Sequence, residues 1–125
     1  ATGITNEGGW PTAAILARCD GDTVLIIAGH FTVEPGRRDE YVAAFTDLVE
    51  RAREAPGCLD IAVTPDAVDA GRVYMYERWE SWRDVSAWRE VANAPEVDIE
   101  VTDADVAMWD ADGERSPFEE SPDAG

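Results

Sequence analysis

Two Pro-Gly pairs, at residues 35–36 and 56–57, limit the fold of this chain more than any other feature, because neither can lie inside a helix or a central strand. They bracket RRDEYVAAFTDLVERAREA, which has helical periodicity. Tyr41, Val42, Leu48, Val49 and Ala52 fall within about 60° of Phe45 on a helical wheel, while Asp47, Glu50, Arg51 and Glu54 point away. One continuous amphipathic helix is therefore expected between the breaks. VLIIAGHFTV, residues 24–33, is β-branched and apolar enough for a buried strand ahead of that helix. After the helix, CLDIAVT reads as a second strand, and PDAVDAG turns into a third, RVYMYERWE. Ser81 with Asp84 three residues on is a capping-box pattern that opens a second helix, running to about Asn93. Pro95 follows, and EVTDADVAMWDA supplies a last strand.

The order βαββαβ predicts an α+β fold, a ferredoxin-like sandwich with two helices on one face of a four-stranded antiparallel sheet. At 125 residues the chain has room for one such domain. Its bounds are expected at residues 24–112, after an N-terminal arm (1–23) and before a flexible acidic tail (113–125). One helical layer leaves the second sheet face uncovered. Val73, Tyr74, Met75 and Tyr76 make both faces of the third strand apolar or aromatic, so a partner's sheet is expected there, in a homodimer.

Charge narrows the function classes. The net charge is -17, from 27 acidic and 10 basic residues, and every basic residue is arginine. A surface this negative repels phosphate backbones and anionic lipid, so neither nucleic acid nor membrane is an expected partner. Without lysine there is no Schiff base, no pyridoxal phosphate attachment and no GxxxxGK[ST] loop. The single histidine, His30, supplies neither a two-histidine iron site nor a histidine-rich zinc site, and GxGxxG and GxSxG are absent. No metal and no cofactor are expected. Asp103 and Asp105 alternate along the last strand as a solvated face would. Cys19 and Cys58 match no metal-ligand spacing and are expected as free thiols. No basic region followed by an apolar run opens the sequence, so a cytoplasmic location is expected.

The candidate site residues come from strand and helix faces. On the third strand, Glu77 and Trp79 share a face with Val73 and Met75, while Tyr74, Tyr76 and Arg78 share the other. A carboxylate in that apolar row either pairs with an arginine or is set for proton transfer. On the second helix Trp88 lies at the centre of the apolar stripe, with Val85, Val91 and Ala92 around it, and Trp82 sits at the rim. Trp88 is then a core anchor or the wall of an aromatic pocket, and Trp79 and Phe45 should approach the same cavity. On the first strand, Leu25, Ile27, Phe31 and Val33 point to the helices. His30 then faces the partner's sheet, as an interface histidine or a proton acceptor.

FTVEPGRRDEYVAAF, AREAPGCL and YERWESWRDVSAW together resemble the antibiotic biosynthesis monooxygenase domain family, whose members share a strand ending in Pro-Gly, a helix, an EPGC-like turn and E-x-W-x-S before the second helix. The resemblance runs from Val24 to Asp110 and implies a dimeric α+β barrel in which the last strand helps to join two sheets. It implies a cofactor-independent monooxygenase that oxidises a polycyclic phenol or quinol with molecular oxygen. Glu77 and His30 are the proton-handling candidates, and Phe31, Phe45, Tyr76, Trp79 and Trp88 the substrate-binding ones. The alternative is a non-catalytic or stress-related dimer that binds an aromatic metabolite in the same pocket. Many members carry a histidine on the second helix, where this chain has Trp88. Haem-degrading members use an asparagine on the first strand and a histidine after the second helix. Here Gly29 takes the first position and no histidine follows residue 30, which argues against haem degradation.

Overall fold

The computed structural model describes residues 23–119. The expected N-terminal arm and Cys19 lie outside them, apart from Thr23, as does the end of the C-terminal tail. Strand β1 (Val24–Thr32) runs into a short 3-10 turn at Pro35–Arg37 and then helices α1 (Arg38–Ala44) and α2 (Thr46–Arg53). Strands β2 (Cys58–Pro65) and β3 (Arg72–Trp79), helix α3 (Trp82–Val91) and strand β4 (Thr102–Ala111) follow. The sheet order is β2-β3-β1-β4, and all neighbours are antiparallel. This is the expected ferredoxin-like α+β arrangement.

The first helical segment differs from the expected single helix. It divides at Phe45, whose φ of -95° and ψ of 3° tighten the backbone; its N–H bonds the Val42 carbonyl at 3.1 Å, a turn of 3-10 type. Its own carbonyl still accepts from Val49 N–H at 2.9 Å, so the hydrogen-bonded chain continues from α1 into α2 across Phe45. The second helix starts where the sequence indicates. Ser81 Oγ accepts from Asp84 N–H at 3.2 Å and donates to Asp84 Oδ2 at 2.9 Å. The Asp84 carboxylate lies so close over Gly57, at φ 82°, that a Cβ there would strike it; the Pro-Gly turn thus seats the start of α3. Val91, expected in the buried stripe, is 66% exposed, because it stands at the stripe's edge in the last helical position.

Sheet alternation divides the side chains as the strand patterns require. Leu25 faces Trp79 across the ladder, Ile27 faces Glu77 and Phe31 faces Val73, all on the helical side. Ile61 and Val63 of β2 extend that face opposite Glu77 and Met75. Two buried clusters result, one around Trp79, Val85 and Trp88 and one around Phe31, Val33, Val73 and Ile99. Trp79, Val73 and Val85 are fully buried, and each such side chain contributes about 1.5–3 kcal/mol. The opposite face presents Ile26, Ala28 and His30 of β1, Tyr74 and Tyr76 of β3, and Ala107 and Trp109 of β4. Nine of the ten residues of β4 are exposed. The strand reaches β1 only because Gly29, at φ 155°, has no Cβ to meet the Asp105 backbone. Asp103 departs from the expected plain alternation: its φ is 49°, beside an irregularity in the β1–β4 register.

Candidate active site

Between the helices and the sheet lies a cavity of about 230 Å³. Phe31 and Met75 form part of its floor, Tyr41, Phe45 and Leu48 one wall, and Trp88 the other. The aromatic wall is continuous. Phe31 meets Tyr41 edge-on at 5.5 Å between centroids, and Tyr41 meets Phe45 at 4.9 Å. Trp88 is 8% exposed, and the Arg51 guanidinium lies 5.6 Å from its ring centroid while bonding Asp47 at 2.8 Å.

Among the described residues Glu77 is the one carboxylate lining this cavity. Its Oε1 accepts a hydrogen bond from Trp79 Nε1 at 2.8 Å. Trp79 sits two residues on, on the same strand face, and is fully buried, so the indole fixes the carboxylate from behind. Of the two readings of this carboxylate, pairing with an arginine is not what the structure shows: its partner is the indole N–H of Trp79. Its second oxygen has no partner among the described residues. Burial raises the Tyr41 phenol above its usual range, so this lining residue stays a protonated donor. Near the same row, burial and then the charges of Glu77 and Asp60 push the Cys58 thiol up.

Of the sequence candidates, Phe31, Phe45, Glu77 and Trp88 line one cavity. Trp79 stands behind it as the support of Glu77 and does not form its surface. Tyr76 and His30 do not join them. Strand alternation puts both on the other sheet face, Tyr76 opposite Ala28 and His30 opposite Tyr74 and Asp105. His30 meets Tyr74 edge-on at 5.3 Å, and its Nδ1 is buried with no hydrogen-bond partner among the described residues. Within one chain, therefore, His30 cannot exchange a proton with a ligand held beside Glu77. Sequence reasoning missed Tyr41 and Arg89 as lining groups. Tyr41 lies four residues before Phe45, a helical spacing that could have flagged it.

A second, more open groove of about 250 Å³ runs between α2 and β2, with Phe45 and Val63 shared between the two. Its arginine, Arg53, is committed to the Ile61 carbonyl at 3.1 and 3.0 Å, and its carboxylate, Glu50, is exposed to solvent, whereas Glu77 in the aromatic cavity is half-buried.

The sequence profile described as antibiotic biosynthesis monooxygenase matches residues 24–95, more than half of the chain. The chain belongs to the antibiotic biosynthesis monooxygenase family. The matched segment holds β1 through α3 and every residue named above as lining the cavity. A crystal structure of a candidate antibiotic biosynthesis monooxygenase from Chloroflexus aurantiacus is similar at 27% identity and a TM-score of 0.57, over 74% of this chain and 97% of that one. A haem degrader from Mycobacterium tuberculosis, solved with two haems bound in its active site, shares the fold at 17% identity and a TM-score of 0.55, over 74% of this chain and 99% of that one. A curated relative, an uncharacterized protein of Synechocystis, is 25% identical over 60 residues; the match spans 48% of this chain and 41% of that relative's length. Among the described residues no helix is long and apolar enough to cross a membrane.

Proposed function

We propose that this family member is a cofactor-independent monooxygenase that oxidises a phenol or quinol of one or two fused rings. The supporting observation is Glu77, a carboxylate in a cavity lined mainly by aromatic and aliphatic side chains, with one oxygen anchored by Trp79 and the other without a partner among the described residues. In this chemistry the deprotonated substrate itself reduces dioxygen by one electron, and the two radicals combine at a ring carbon. The peroxide then loses water. One ring C–H becomes C=O, one oxygen atom enters the product, the other leaves as water, and all electrons come from the substrate. The protein's part is to take the phenolic proton and to favour the phenolate. Glu77 is the acceptor, Tyr41 the hydrogen-bond donor, and Phe31, Phe45 and Trp88 hold the ring. The cavity volume, about 230 Å³, falls below the roughly 300–1,000 Å³ of sites for drug-sized ligands, which favours a naphthalene-sized quinol over a three-ring anthrone.

The functional unit of this proposal is residues 24–112 paired with a second copy across the open sheet face. Ile26, Ala28 and Tyr76 leave that face apolar at its centre, and Trp109 is 53% exposed beside them. Sedimentation should give a dimer, which Ile26→Arg should dissociate; a monomeric wild type would remove this part of the proposal. For the reaction, purified protein stripped of metal is mixed with dihydroxynaphthalenes and anthrones, and oxygen uptake is followed. Uptake above the uncatalysed rate is expected with the smaller substrates. No turnover across the panel, with tryptophan quenching on binding, would instead support the non-catalytic binder.

A further inference from the structure

We propose that Arg89 makes the cavity selective for an arene that carries a carboxylate, held with its hydroxyl towards Glu77 and its acid group at the mouth. This rests on the aromatic cavity as the ligand site and not on turnover. Arg89 follows Trp88 on α3 and lines the same cavity, yet it is exposed where Trp88 is buried. It therefore stands at the opening. Its guanidinium lies 5.6 Å from the centroid of the Trp82 ring, and Trp82, itself 53% exposed, braces it through the face of the indole. Among the described residues no carboxylate lies within ion-pairing distance of Arg89, whereas Arg37, Arg38, Arg51 and Arg72 each have one.

The context gives that bare cation its meaning. A chain of net charge -17 repels anions over most of its surface, so an anionic ligand needs a local positive group to settle at any one place. Arg89 is that group for this cavity, since Arg51, the other guanidinium at Trp88, is already bonded to Asp47. The planar guanidinium can bind a carboxylate through two parallel hydrogen bonds, which sets direction as well as strength. Glu77 repels a carboxylate from the cavity floor, so the two charged residues orient the ligand between them.

The experiment is calorimetric titration without oxygen, using a dihydroxynaphthalene and the same compound bearing a ring carboxylate. Wild type should bind the acid about tenfold more tightly than the neutral quinol, in line with a hydrogen-bonded charge at a half-open site. Arg89→Gln should bind the two alike, Arg89→Lys should keep part of the preference, and Arg83→Gln, an exposed arginine on the same helix that does not line the cavity, should keep all of it. Equal binding by wild type, an undiminished preference in Arg89→Gln, or an equal loss in Arg83→Gln would overturn the proposal. Oxygen is absent from the titration, so its outcome does not depend on turnover; a protein that binds the acid through Arg89 here but takes up no oxygen in the aerobic assay would sink the oxygenase proposal and leave this one standing.

Discussion

Replacing Trp79 by phenylalanine keeps a buried ring but deletes the indole N–H that holds Glu77 at 2.8 Å. A hydrogen bond to a charged acceptor contributes about 1.5–3 kcal/mol, and the smaller ring leaves a void costing about 1 kcal/mol more. Trp79 is fully buried, so solvent cannot replace the lost donor from behind. The expected loss is about 2.5–4 kcal/mol, which for a domain of this size lowers the melting temperature by roughly 10–20 °C. Volume and bonding are separated by a double-mutant cycle with Glu77→Leu, which removes the acceptor. Urea unfolding followed by circular dichroism on wild type, the two single variants and the double variant gives the coupling. A coupling of about 1.5 kcal/mol is expected. Additive losses, within about 0.3 kcal/mol, would show that the indole does not anchor the carboxylate, and the positioned base would lose its foundation.

Glu77→Gln retains an oxygen for the Trp79 bond, so it should fold with a stability change of about 1 kcal/mol while oxygen uptake falls by about 10²–10⁴-fold; turnover within twofold of wild type would remove Glu77 as the proton acceptor. Trp88→Ala should cost less than the roughly 3–5 kcal/mol of a solid-core tryptophan, because one side of the ring borders the cavity, and Trp88→Phe should stay near wild type in unfolding while weakening quinol binding. The Asp66 carboxylate accepts from the backbone N–H groups of Asp69 and Val68, which lowers its pKa below the usual carboxylate value. A lowered folded pKa means stabilisation above the unfolded pKa that disappears as pH falls through the folded one. Asp66→Ala should therefore unfold more easily than wild type at neutral pH, with the gap closing in acid; a gap independent of pH would contradict this.

The fold was legible because it rests on short-range signals. The Pro-Gly pairs, the Ser81–Asp84 cap and the strand alternation each act within a few residues, and the four strands and the helical segments between them appear in the order they place them. The division at Phe45 was not legible. No glycine or proline marks it, and it falls at the residue whose ring lines both the cavity and the neighbouring groove, a tertiary setting that local spacing does not encode. The site was legible by face and not by partner. Alternation puts Glu77 on the helical side and His30 on the other, but the indole bond to Glu77 depends on rotamers that no spacing encodes. Arg89 escaped notice for a similar reason: on a helical wheel it is a polar-face residue, and only the long side chain brings it back to the cavity mouth.

Monooxygenation is tested most directly by supplying isotopically heavy dioxygen to metal-free protein with a dihydroxynaphthalene and reading the products by mass spectrometry. One heavy oxygen atom should appear in each quinone formed and the other in water, at a rate set by protein concentration and abolished in Glu77→Gln. Quinone without heavy oxygen, or labelled quinone formed equally fast without protein, would contradict an oxygenase built around Glu77.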